Sequence, residues 1–282
     1  MSRVAFFGVL SLLFACTSPS KPKSAVQSPP GYDFSSPETI KLPMNLDEIS
    51  GMVFSDTGGY IIALNDEQGR LYKVPLDGSR DFPGFRFRKG GDYEDLCQAG
   101  TELWALNSKG SVTRIRHALT DSMRADHFEF PLKGSYNFET LVHLPAKNRL
   151  LLLCKECPAF PSPAPGFSFD LARQTFDTVP VFPLDFTALE TKHRPDSAHP
   201  VKASAAAYHP ITGELFVLAS VDHRLYIADG SGKVKNVYKL DKKTFKQPEG
   251  ICFSANGDLY VSNEARTGTA NIRKLLYRKP QG

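Results

Sequence analysis

The chain has 282 residues, 41% of them apolar and 23% charged, and carries a net charge of +4. That length fits one large β domain with a well-buried core or two small domains. The charge is too small, and the Lys and Arg residues too scattered, for a nucleic-acid-binding surface.

The first segment reads as a targeting sequence. Arg3 precedes an apolar run from Val4 to Ala15, which is too short to cross a bilayer as a helix and has the length of a signal-peptide core. It ends in Leu13-Phe14-Ala15-Cys16, which resembles a bacterial lipobox. The resemblance implies cleavage before Cys16 and lipid attachment there; an ordinary secretory signal is the other reading. Residues 16–31 are rich in Ser, Pro and Lys and read as a flexible tether. The expected organisation is therefore a signal peptide over 1–15, a tether over 16–31 and one folded domain over 32–282. Thr17-Ser18 lacks the acid used for inner-membrane retention in some bacteria, which favours the outer membrane over the inner.

Next comes a short strand, Thr39-Ile40-Lys41-Leu42, and then a pattern that recurs five times. Each unit opens on a short polar stretch: Asp47-Glu48-Ile49-Ser50, Tyr93-Glu94-Asp95, Phe138-Glu139-Thr140, Ala203-Ser204-Ala205 and Pro248-Glu249-Gly250. The anchors 48, 94, 139, 204 and 249 are spaced by roughly 45 residues, with one gap of about 65, a period typical of propellers and solenoids. A second, fully apolar strand follows in each unit: Tyr60–Leu64, Leu103–Leu106, Leu150–Leu153, Leu215–Leu218 and Leu259–Val261. Continuous apolar runs between turn residues are strands buried on both faces. Third strands are expected at Leu71–Val74, Val112–Ile115, Phe167–Leu171, Leu225–Ile227 and Ile272–Leu275. Fourth strands are expected at Phe85–Arg88, His127–Phe130, Val179–Phe182 and Val234–Tyr238. The last unit has no fourth strand of its own, and Thr39–Leu42 can supply it, which hides two open sheet edges.

The sequence thus predicts an all-β five-bladed propeller of four-stranded antiparallel blades, with the N-terminal strand closing the last blade. The long third unit, with a proline-rich insertion at 158–166 and a polar excursion at 186–200, leaves a sixth, degenerate blade as the alternative. Cys97 and Cys252 fall on equivalent positions and read as core residues. Cys154 and Cys157 have the spacing of a redox or half-zinc pair, without a second pair to complete a metal site, and a local disulfide is open.

First strands of propeller blades line the central channel, so Glu48, Glu94, Glu139, Ser204 and Glu249 are expected near one mouth. Counting three residues past the last apolar position of each second strand adds Glu67, Lys109, Glu156, Val221 and Glu264. Seven carboxylates would then converge. At ~6 Å and an effective dielectric of ~20, each like-charged pair costs roughly 3 kcal/mol, which raises pKa values or recruits a cation. All-oxygen ligands suit Ca²⁺, and no His falls on the ring positions for zinc. The competing reading is structural: glutamates at the start of each inner strand accept hydrogen bonds from the next blade.

Glu48-Ile49-Ser50-Gly51, Leu64-Asn65-Asp66-Glu67, Gln247-Pro248-Glu249-Gly250-Ile251 and Ser262-Asn263-Glu264 resemble the SdiA-regulated family of bacterial propellers, itself similar to NHL-repeat proteins and esterase-like phytases. The resemblance implies an envelope propeller with one bound Ca²⁺, held by a subset of Glu48, Glu94, Glu139, Glu156, Glu249 and Glu264. Ser204 and Lys109 depart from the acidic pattern. With no Gly-x-Ser-x-Gly elbow, HExxH or P-loop, the first expectation is a monomeric, lipid-anchored, calcium-binding scaffold or binding protein. It would meet a protein partner, or a small anionic ligand at Glu67, Asn65, Asn263 and Lys109. The alternative is a calcium-dependent hydrolase of phosphoesters, esters or lactones.

Overall fold

The computed structural model describes residues 27–160, 164–195, 199–265 and 268–280. The expected signal peptide and Cys16 lie outside them. Strand β1 (Glu38–Lys41) comes first. Blade 1 is β2 (Ile49–Ser55), β3 (Tyr60–Asn65), β4 (Arg70–Pro75) and β5 (Gly84–Arg86). Blade 2 is β6 (Tyr93–Ala99), β7 (Glu102–Asn107), β8 (Val112–Arg116) and β9 (Arg124–Phe128). Blade 3 is β10 (Asn137–Leu144), β11 (Arg149–Glu156), β12 (Gly166–Asp170) and β13 (Thr175–Val181). Blade 4 is β14 (Ala205–Tyr208), β15 (Leu215–Ala219), β16 (Arg224–Ala228) and β17 (Val234–Lys239). Blade 5 is β18 (Pro248–Phe253), β19 (Leu259–Asn263) and β20 (Asn271–Leu275), completed by β1.

All strands within a blade pair antiparallel, and β1 pairs with β20 through Glu38↔Lys274 to Lys41↔Asn271. The ring therefore closes with the N-terminal strand, as expected from the missing fourth strand. Among the described residues there are five blades, not six. The excursion after β13 is no extra blade: it buries Leu184, Phe186 and Leu189 against blades 3 and 4, and Asp185 bridges to Lys233.

The core is five cores, one between each pair of blades. Val53, Leu64, Leu96 and Ala105 fill the gap between blades 1 and 2. Trp104, Phe138 and Phe167 fill the next, then Val142, Leu151, Val217 and Tyr226. Phe216, Ile251 and Val261, joined by Tyr32 and Phe34 from before β1, come fourth. Ile49, Met52, Tyr260 and Ile272 close the circle. This explains the sequence pattern. A second strand has a blade on each face, so β3, β7, β11, β15 and β19 are buried almost throughout. Each such side chain contributes roughly 1.5–3 kcal/mol. Outer strands such as β9 and β13 are half exposed. At Asn256-Gly257 the glycine takes φ +91°, which the tight β18–β19 turn requires and other residues resist.

Cys97 and Cys252 are buried free thiols, and Cys154 is bonded to Cys157. No helix among the described residues is long and apolar enough to cross a membrane.

Candidate metal centre

The entrances to four of the five inner strands, all but β14, are built around β-bulges. In β6 the register slips between Tyr93 and Asp95, in β10 between Phe138 and Thr140, and in β18 between Pro248 and Gly250. Glu94, Glu139 and Glu249 are the extra residues. A bulge re-aims its side chain, and here it turns three carboxylates toward the axis. In β2 the slip lies between Ile49 and Met52, so the residue equivalent to Glu94 is Ser50, not Glu48. The hydrogen bonds agree. Ser50 Oγ donates to Tyr93 O at 2.9 Å and Ser204 Oγ donates to Pro248 O at 2.9 Å, the same contact made to the following blade. The bulge ring is therefore Ser50, Glu94, Glu139, Ser204 and Glu249. Its serines brace neighbouring blades by donating to backbone carbonyls, a different contact from the accepting glutamates that the structural reading expected, and its glutamates face one another.

The pairings Ile49↔Asn65, Tyr93↔Asn107, Phe138↔Cys154 and Pro248↔Asn263 define a second ring one residue further along: Asp66, Ser108, Lys155, Ser220 and Glu264. Only Glu264 was expected among these. Glu67, Lys109 and Val221 are exposed instead. Glu156 points away and pairs with Lys202 at 2.9 Å, which holds its carboxyl below the usual range. Asn65 and Asn263 are buried and occupied locally: Asn65 Oδ1 accepts from the Glu67 N–H at 3.1 Å, and Asn263 Nδ2 donates to Asn271 Oδ1 at 3.1 Å. Glu48 sits in a third, outer ring with Asp92, Asn137 and Gln247. Backbone contacts place it there: Asp66 N–H donates to Glu48 O, Ser108 N–H to Asp92 O and Glu264 N–H to Gln247 O.

Two centres result. In the first, the Lys155 ammonium pairs with Glu139, and Asn137 Nδ2 donates to the same carboxylate at 3.1 Å. Burial first, and then Glu139 and Asp92, push Glu94 up to about 9 against the pull of Lys155. Burial and Glu139 lift Glu249 to about 7. Burial also raises Glu139, although Lys155 opposes it. Burial pulls the Lys155 ammonium down, but Glu139, Glu249 and Glu94 together carry it above its ordinary value.

The second centre holds Glu48, Asp66 and Glu264, each offering a carboxylate oxygen within 4.8 Å of the others. Burial, Glu48 and Glu67 raise Asp66 to about 7. Burial, Glu249 and Glu48 raise Glu264 to about 8. Gln247 Nε2 donates to Glu264. Asp66 Oδ1 is buried with no hydrogen-bond partner among the described residues. A buried carboxylate oxygen without a donor is costly, and a hard cation is what would satisfy it. The donor set is all oxygen, which fits Ca²⁺ or Mg²⁺ and not zinc. The first centre already has its cation in Lys155.

No protein-family model matches the chain, and no curated protein matches it in sequence. Solved structures match it in fold. A glutaminyl cyclase from Myxococcus xanthus superposes with a TM-score of 0.58 at 12% identity, over 84% of this chain and 93% of its own. The soluble aldose sugar dehydrogenase from Escherichia coli gives 0.56 at 12%, over 86% and 100%. A calcium-binding regucalcin from Agrobacterium tumefaciens gives 0.51 at 13%, over 89% and 96%. At these identities the likeness is one of fold alone.

Folded carboxyls here hold protons that unfolded ones shed above their ordinary value of about 4.5. The stability these four carboxyls contribute to the metal-free protein is therefore full below that value and is lost as pH rises through about 7 to 9. Melting temperatures in EDTA from pH 5 to 9 check this; a rise across that window would contradict it. Saturating Ca²⁺ should flatten the decline.

Proposed function

We propose that this propeller binds one divalent cation, calcium by its ligand chemistry, at Glu48, Asp66 and Glu264, and that it serves as a binding or scaffold protein held to the bacterial envelope by a lipid on Cys16. The observation that carries the reading is the unpartnered, buried Asp66 Oδ1 among three converging carboxylates. The regucalcin neighbour, described as calcium-binding, lends support at the level of a shared fold. The likeness of the Glu48–Gly51 and Gln247–Ile251 segments to SdiA-regulated propellers belongs to the same proposal. Calcium is expected to raise the melting temperature of the EDTA-treated protein by several degrees, as any ligand of the native state does. Asp66→Asn should abolish that shift, and Glu156→Gln, on the rim, should leave it intact. An unchanged melting temperature with calcium in the native protein would sink the assignment.

A second reading has one observation in its favour. Glu249, raised to about 7, adds to the burial that raises Glu264, and a carboxyl titrating near neutrality beside a cation site can hold or accept a proton during hydrolysis. A bound calcium ion would supply the Lewis acid. If a phosphoester, ester or lactone is turned over, Glu249→Gln should remove activity and retain calcium binding.

A further inference from the structure

The channel has two ends, and the cation site uses only one. At the other, the five inner strands open into a cavity of about 680 Å³, within the range of roughly 300–1,000 Å³ typical of small-molecule sites. Its floor is a five-fold set of equivalent positions: Val53, Cys97, Val142, Ala207 and Cys252. One residue further out, its mouth is Phe54, Gln98, His143, Tyr208 and Phe253. The floor is apolar, with two thiols whose pKa values burial raises, so they are neutral there.

The mouth is aromatic and uncharged. Burial lowers the pKa of His143 and raises that of Tyr208, so both are neutral at pH 7. Neither side chain has a hydrogen-bond partner among the described residues, although both are half-buried. Each inner strand stands at one end of its sheet, so its axial edge adds backbone N–H and C=O groups without a strand partner. Charge appears only further out, as one exposed residue of each sign, Asp56 and Lys147.

We propose that this cavity binds an uncharged, flat aromatic molecule. The apolar floor takes its body, Phe54, Phe253 and Tyr208 offer ring faces and edges, and His143 and Tyr208 offer hydrogen bonds to one or two polar substituents. A charged ligand would find no counter-charge inside. The site is independent of the cation and is built without it.

The probe is N-phenyl-1-naphthylamine, which is uncharged and fluoresces in apolar surroundings, titrated into the full chain in EDTA. Trp104, the one tryptophan, lies across the β6–β7 ladder from Cys97 and serves as energy donor. Saturable uptake of one probe per chain, with energy transfer from Trp104, is expected. Ala207→Phe fills the floor and should weaken uptake about tenfold or more in protein that still melts cooperatively. Cys97 and Cys252 give a readout that needs no variant: bound probe should slow their modification by methyl methanethiosulfonate, mapped by mass spectrometry. The proposal is overturned by absent saturable uptake, by a folded Ala207→Phe that binds as before, or by thiol modification rates that the probe leaves unchanged.

Discussion

Replacing Lys155 with Met should destabilise the metal-free protein by about 3–5 kcal/mol near pH 9, the usual result of stripping one partner from a buried ion pair. For a chain of this size that is a fall in melting temperature on the order of 10 °C. Lys155 is the ammonium that balances Glu94, Glu139 and Glu249, and its side chain and that of Glu139 are 18% and 9% exposed. Met keeps the length of the stem and removes only the charge. The loss should shrink toward pH 6, where the three carboxyls can take up protons instead. Calcium should recover part of it in the variant, because a second cation position then opens on the axis. A variant that melts like the parent at pH 9 would show that the three glutamates do not depend on Lys155.

Gly51→Ala should be as damaging for a steric reason. A Cβ at Gly51 would lie 2.1 Å from the Leu96 backbone nitrogen and 2.5 Å from the Asp95 carbonyl carbon, and one at Gly250 would lie 2.4 Å from Ser50 O. These are rigid backbone atoms of the next inner strand, so the blades must separate. Such overpacking costs about 1–3 kcal/mol when side chains can adjust, and more where backbone must move. Asp95 occupies the equivalent position in blade 2. Its carboxylate turns the close approach to use, accepting from Leu141 N–H in blade 3 at 2.7 Å and from Leu96 N–H at 2.8 Å. Gly51→Ala is expected to yield little folded protein, or protein melting about 10 °C or more below the parent. A melting temperature within 2 °C or so of the parent would mean that the inner strands are not in van der Waals contact there.

The propeller was legible because each second strand is covered on both faces and must read as an unbroken apolar run. Closure by the N-terminal strand was legible from the missing fourth strand of the last unit. The site was legible only in part. Of the expected ligands, Glu48 and Glu264 lie in the carboxylate cluster and Glu94, Glu139 and Glu249 meet Lys155 instead; a bulge adds one residue to a strand without any compositional mark, so the repeat frame aligns Glu48 where Ser50 belongs. One signal was available: Ser50-Gly51 and Ser204-Ala205 share a serine followed by a small residue. Counting from the last apolar residue also missed Asp66 and Lys155. The asparagine column of Asn65, Asn107 and Asn263 would have recovered Asp66, Ser108 and Glu264, because those asparagines pair with the residue preceding the bulge. Lys155 carries no such mark, since Cys154 stands in its asparagine position.

Calorimetric titration of Ca²⁺ into the EDTA-treated, dialysed protein at pH 7, in two buffers of different ionisation enthalpy, tests the cation site most directly. One ion per chain should bind with a dissociation constant below about 1 mM. Protons should be released on binding, because Asp66 and Glu264 hold them near neutrality in the free site. No heat of binding at millimolar calcium, or binding that Asp66→Asn leaves unchanged, would contradict the assignment of Glu48, Asp66 and Glu264 as the cation site.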